Sequence, residues 1–286
     1  MSLYIDFRGF ADNCVAENEN SNLYFLLDHG GLPGLHQQLL TFSVSWASLF
    51  DGTNESNALA VAPMLVPVGR EGRVQLPVGL FRWLSEHGSY SSSVIILLSP
   101  LDLAELKDRL AFRLNIRLSE NTDAMLRFFD PRVFQSLIGV LNVDQANNFL
   151  GVAQRWWYVD RGGELNCINS NFNDGASLDE LLILDASQEF SMVDSCEVDH
   201  ILMSLRENAP DLLRKINLPL QYEFVKSNIN EARNCGLQSV EDLILYNVAA
   251  LTVGESSLSE EKWRDLMRAV KLSPTKFSEL VLRLEQ

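Results

Sequence analysis

AMLRFFDPRVFQSLIGVLNVDQANNFLGVAQRWWYVD, residues 124–160, is the stretch on which the reading of this chain turns. It opens with Met125-Leu126-Arg127-Phe128-Phe129, a short apolar run rich in aromatics and bounded by Asp130-Pro131. Such a run predicts a buried strand. Asp130 is placed to accept from the open N–H groups of a following helical turn, and Pro131 suits the first helical position, where no N–H is needed. Val133, Phe134, Leu137, Ile138 and Leu141 then recur at helical spacing, and the stretch closes on Arg155-Trp156-Trp157-Tyr158-Val159, a second strand candidate. Strand, capped helix, short helix, aromatic strand: the pattern is a scaffold, without an evident reaction centre.

Toward the N-terminus, residues 3–7 and 23–27 are short apolar segments, the second running into Asp28-His29-Gly30-Gly31, whose glycines mark a turn. Leu35, Leu39 and Leu40 suggest a helix. Residues 58–68 (ALAVAPMLVPV) are apolar but carry Pro63 and Pro67, which remove ladder donors and predict an edge or irregular strand. Leu80, Phe81 and Leu84 predict a helix stopped by Gly88. SVIILL at 93–98 is the clearest buried strand, and Ser99-Pro100-Leu101-Asp102 reads as a helix start with a cap, a first-turn proline and an early acid. Leu103, Leu106, Leu110 and Leu114 line one face of that helix. Strands alternating with helices point to α/β, or α+β, with a central sheet.

Between Glu164 and Asp199 there are nine acids and no Lys or Arg. This places an acidic connector at 164–196, after an α/β domain at 1–163. From 197 to 286 the pattern is purely helical: Val198, Ile201, Leu202 and Leu205 form one stripe, and Val240, Leu243, Ile244, Val248 and Leu251 another. Breaks at Pro210, Pro219, Gly236, Gly254 and Pro274 divide it into four to six short amphipathic helices.

With 286 residues and 47% hydrophobic content the chain can bury a substantial core, in one large or two medium domains. A formal charge of −15 argues against nucleic-acid or anionic-membrane partners, which need a basic footprint. No apolar run is long enough to span a bilayer, and the first residues lack the basic and apolar segments of a signal peptide. Cys14, Cys167, Cys196 and Cys235 are widely spaced, as suits free thiols in a reducing cytoplasm. The expectation is a soluble cytoplasmic protein.

Chemistry-bearing motifs are scarce. Gly30-Gly31-Leu32-Pro33-Gly34 lacks the Lys-Ser/Thr of a phosphate loop and carries a rigid proline, so it reads as a turn. His29-Gly30-Gly31 resembles an esterase oxyanion loop, but no nucleophile elbow accompanies it. His29, His36, His87 and His200 have no i, i+4 partner and no Cys-x-x-Cys occurs, so no metal site is expected. Asn169, Asn171, Asn173 and Glu180 imitate a calcium loop, but Asp174 stands where glycine is required. The paired acids Glu241-Asp242 and Glu260-Glu261 are explained by helix N-termini. No catalytic residue and no cofactor is expected.

Two features stand out. Arg127, within an apolar run, calls for a partner among Asp130, Asp28 and Asp102, because an unpaired buried charge is costly. That pairing could fix the fold, or the same guanidinium could recognise a carboxylate or a peptide backbone. Asp28, at a strand end, reads first as a turn acid capping Gly30-Gly31. Asp28, Arg127, Asp130 and Arg132 form the candidate polar cluster. In Trp156-Trp157, strand alternation sends one ring into the core and the other outward, where it could anchor a partner.

Taken together, YFLLDHG (24–30), SWASLFDGT (45–53), VAPMLVPV (61–68), LLSPLDLAELKDRL (97–110), LRFFDPRV (126–133) and FLGVAQRWW (149–157) resemble the adaptor/chaperone family of bacterial type VI secretion systems, the Tap/TEC effector chaperones, defined by a conserved domain of formerly unknown function. The similarity runs from about Leu23 to Val159, with a looser likeness in the helical tail around Ala232, Gly236 and Leu237. The chain departs from the family pattern at His29-Gly30 and at Met64. The resemblance implies a non-catalytic cytoplasmic adaptor. Its partners would be the N-terminal region of a toxic effector and the C-terminal tip of the spike protein. Two other readings compete: a small-molecule enzyme with an acidic cleft around Asp28, Arg127 and Asp130, and a toxin-neutralising immunity protein.

Overall fold

A computed structural model describes residues 4–173, 181–252, 260–272 and 277. In chain order the elements are α1 (Phe7–Glu17), β1 (Asn22–Asp28), α2 (Leu35–Thr41), β2 (Ala47–Ser48), β3 (Pro63–Arg70), β4 (Arg73–Val74), α3 (Val78–Gly88), β5 (Val94–Ser99), α4 (Leu103–Phe112), β6 (Asn115–Arg117), β7 (Asp123–Met125), α5 (Pro131–Val140), α6 (Val143–Leu150), β8 (Arg155–Val159), β9 (Leu165–Asn169), β10 (Leu182–Ile183), α7 (Ala186–Asn208), α8 (Pro210–Leu213), α9 (Gln221–Asn234), α10 (Val240–Thr252) and α11 (Glu260–Leu272). Two compact units, 1–194 and 195–286, divide the chain within α7.

In the first unit the main sheet has the order β2-β3-β1-β5-β8-β9, with β4 also paired to β3, and every pairing in it is antiparallel. The fold class is therefore α+β, and the parallel sheet implied by an α/β reading is not formed. A smaller sheet, β10-β6-β7, contains one parallel pair, β10 with β6. Both faces of the main sheet are covered, so its central strands are apolar throughout. Tyr24, Leu26, Ile95, Leu97, Trp156 and Tyr158 enter one core with the buried faces of α4, α5 and α6. Their alternate neighbours Leu23, Phe25, Leu27, Ile96, Leu98 and Trp157 enter the other core with α1, α2 and α3.

Local chemistry sets the element ends. Asp102 caps α4 through a capping box with Glu105, so the helix begins after Ser99-Pro100. Ser99 instead ends β5, its hydroxyl donating to the Val152 carbonyl at 2.7 Å. Asn142 and Gln145 form the same box at α6. β3 is not an edge strand: it lies between β1 and the two short strands β2 and β4. Those outer partners reach only Met64, Leu65, Gly69 and Arg70, so Pro67 falls where the outer side has no strand partner among the described residues.

Residues expected to lie in an acidic connector are partly strand. β9 pairs with β8 along five residues, and β10 with β6. The calcium-loop likeness falls partly on residues 174–180, outside the described residues. The second unit is helical, with a core of Ile201, Leu202, Leu205, Val225, Ile229, Leu243 and Tyr246 among others. Within that core Asn228 donates to Asn247 at 3.1 Å, and Asn247 in turn donates to the Leu243 carbonyl at 2.9 Å. The expected breaks at Gly254 and Pro274 lie outside the described residues. Among the described residues no helix is long and apolar enough to cross a membrane.

Candidate partner-binding site

The polar cluster assembles where β1 ends and α5 begins. Asp28 is the last residue of β1; its N–H donates to the Ser93 carbonyl at 2.9 Å, which continues the ladder. One carboxylate oxygen, Oδ1, accepts the Gly30 N–H at 2.9 Å, as a turn acid should, and Oδ2 accepts Arg127 Nη2 at 3.3 Å. The carboxylate is buried at 3% exposure while the Arg127 side chain is 51% exposed. Burial pushes the Asp28 carboxyl above the ordinary carboxylate range; Arg127 and the Gly30 N–H oppose that shift and Asp130 adds to it.

Arg127 is therefore not a buried strand residue. β7 stops at Met125, and residues 127–130 turn, with the Asp130 N–H donating to the Arg127 carbonyl at 3.0 Å. Of its three expected acids, Arg127 meets Asp28. Its guanidinium also lies 5.5 Å from the Phe129 ring centroid, and Phe129 meets Phe50 edge-on at 6.2 Å. The arginine is thus held from one side by a carboxylate and from another by an aromatic, with half its surface in water.

Asp130 caps α5 with Pro131 in the first turn, as the sequence predicts. Oδ1 accepts the Arg132 N–H at 2.9 Å and Arg132 Nε at 3.0 Å, while Oδ2 accepts Arg132 Nη2 at 2.7 Å. This paired contact between planar groups satisfies both oxygens of a carboxylate only 4% exposed. Asp28, Arg127, Asp130 and Arg132 come together, two guanidinium groups screening two buried carboxylates.

The interface role expected of Trp156 and Trp157 is not available. Trp156 is fully buried, stacked on Phe134 at 5.2 Å and donating to the Leu150 carbonyl at 3.0 Å. Trp157 is 7% exposed and meets Phe10 edge-on at 5.2 Å. Alternation does send the rings to opposite faces, but both faces carry helices.

The apolar surface near the cluster comes from residues the sequence reading passed over. The turn Leu59–Val61 leaves Leu59 50% and Val61 49% exposed. It sits against the turn that follows Asp28: His29 Nδ1 is 2.9 Å from the Leu59 carbonyl, and a Cβ on Gly30 would lie 3.7 Å from the Val61 Cβ. Within ALAVAP only the proline signalled a departure from strand.

Among the described residues no group of three or more His, Cys, Asp or Glu side chains is arranged to hold a metal ion. The four cysteines are unbridged, and burial pushes the Cys14 thiol up to about 11. No curated protein and no solved structure matches the chain. Residues 23–148, from β1 into α6, match the family model described as a domain of unknown function (DUF4123).

Proposed function

We propose that this chain is a bacterial cytoplasmic adaptor that binds the N-terminal region of a type VI secretion effector and brings it to the C-terminal tip of the spike protein, without catalysing a reaction. The observation that carries this reading is the match to the DUF4123 family model at residues 23–148, the region that holds most of the motifs through which the sequence resembles effector chaperones.

The chemistry at the end of β1 supports it. Both carboxylates of the cluster are engaged by guanidinium and N–H donors, an arrangement that fixes charge and shape. A half-exposed Arg127 near the open apolar side chains Leu59 and Val61 has the composition of a binding hot spot. The acidic excess of the chain would steer a basic segment of a partner toward it.

Co-expression of the tagged full chain with the effector and spike proteins encoded beside it tests the proposal. The expected result is a stoichiometric complex that survives gel filtration. Recovery of the chain free of both proteins overturns it.

A further inference from the structure

A second concave site lies between the C-terminal end of α4, one side of α6 and strand β10. It is a cavity of about 250 Å³. Its wall combines the apolar side chains of Phe112, Phe149 and Leu182 with the amides of Asn115 and Asn148 and the guanidinium of Arg113.

Arg113 is the unusual member. It is 7% exposed, and its three nitrogens give hydrogen bonds to backbone carbonyls: Nε to Phe149, Nη1 to Arg109 and Nη2 to Asn148, each at 2.8 Å. None of these partners is a carboxylate. Arg109 lies in the last turn of α4, and Asn148 and Phe149 in the last turn of α6. Each helix C-terminus contributes roughly half a negative charge, which explains how a guanidinium is held there without a counter-ion. Burial, with Arg109 adding to it, lowers its pKa to about 10, so it stays protonated at neutral pH.

The helix ends do not exhaust its donors. A guanidinium carries five N–H groups, and three are given to carbonyls, leaving one on each terminal nitrogen. An N–H group left on each terminal nitrogen lets the guanidinium receive a carboxylate. The acid lining the same cavity, Asp144, is in the first turn of α6, one turn before the carbonyls that hold Arg113, and makes no ion pair with it.

We infer that this cavity binds a carboxylate attached to an apolar group, with Arg113 receiving the carboxylate and Phe112, Phe149 and Leu182 the hydrocarbon. That chemistry is shared by a free aliphatic acid and by the C-terminal residue of a polypeptide. The inference does not depend on the adaptor reading: a chain that captures an effector but ignores the acid sinks this inference alone.

The test titrates N-acetyl-L-leucine and N-acetyl-L-leucinamide into the full chain, followed by the side-chain NMR signals of Asn115, Asn148 and Arg113. The acid saturates these shifts in the millimolar range, and the amide binds about tenfold more weakly or worse, since a charge-assisted hydrogen bond is lost. Arg113→Met abolishes binding. Because that change also leaves carbonyls without a donor, Asn115→Leu serves as the second variant: it narrows the cavity without touching the hydrogen bonds of Arg113, and it weakens the acid several-fold. A short peptide ending in a free leucine distinguishes the sources. Tighter binding than N-acetyl-L-leucine assigns the site to a chain terminus, and weaker binding assigns it to a free acid. Equal affinity for acid and amide, absence of saturation, or an Asn115→Leu variant that binds as wild type overturns the inference.

Discussion

The two carboxylate–guanidinium pairs at the start of α5 and the end of β1 are built from the same groups and do different work. Asp130 and Arg132 are two residues apart, joined by paired contacts, and their geometry follows from the helix start itself. Asp28 and Arg127 are 99 residues apart and share one contact of 3.3 Å, and the arginine is half in water. The first pair is a local device that closes a helix end. The second joins distant parts of the chain through one contact and leaves its cation half exposed, as the proposed partner binding requires. An ion pair reports on function through what it leaves exposed, more than through its presence.

The largest effect should come from the two cores that flank the main sheet. Trp156→Ala is expected to cost about 3–5 kcal/mol of unfolding free energy, and Trp157→Ala a comparable amount, because both rings are enclosed. Urea unfolding measures this, and a negligible loss for Trp157→Ala would restore it as a surface aromatic. Next comes Asp130→Ala, which removes the α5 cap and leaves Arg132 without its carboxylate, for about 1–3 kcal/mol in all. Asp130→Asn, which keeps an accepting oxygen for the cap, should lose less. If the two variants are equally destabilised, the cap and the ion pair cannot be separated as described.

A smaller effect follows from Asp28. Its carboxyl is held above the ordinary range chiefly by burial, so the folded state takes up a proton more readily than the unfolded one. The ionised group therefore opposes folding at neutral pH. As pH falls into the interval between the ordinary carboxylate value and the raised one, this site's contribution to stability rises. Unfolding followed across mildly acidic pH should show that contribution in wild type and lack it in Asp28→Asn. An identical pH dependence in the two proteins would contradict the direction of the shift. Smallest in stability is Arg127→Lys, expected to lose less than about 1 kcal/mol, since it keeps a solvent-screened cation beside the buried Asp28 carboxylate.

What the sequence disclosed tracks how local the deciding physics is. The Asp130-Pro131 cap and the strand at 93–98 are written within a few residues and are found in place. Strand direction is not local: β1 pairs with β3 and β5, each far along the chain, and the alternation that left α/β and α+β both open resolves as an antiparallel sheet. Arg127 falls in a turn and not a strand: an apolar run reads as strand whether or not a partner is present, and β7 finds its partner only as far as Met125. Trp156 and Trp157 were both legible as strand residues, but nothing in that short run reveals that helices cover each face. Arg113, flanked by Phe112 and Leu114, carries only a weak signal, a cation just past a helix end in apolar company.

The most direct measurement is the affinity of the full chain for the proposed effector partner, wild type against Arg127→Ala and Arg132→Ala, with unfolding recorded on the same samples. A site borrowed by a partner predicts that Arg127→Ala weakens binding about tenfold or more under conditions where the unfolding curve shows the variant folded, as expected for an exposed hot-spot arginine. Arg132→Ala should instead lower stability, with a smaller effect on affinity. An Arg127→Ala protein that binds the effector as wild type does would contradict it.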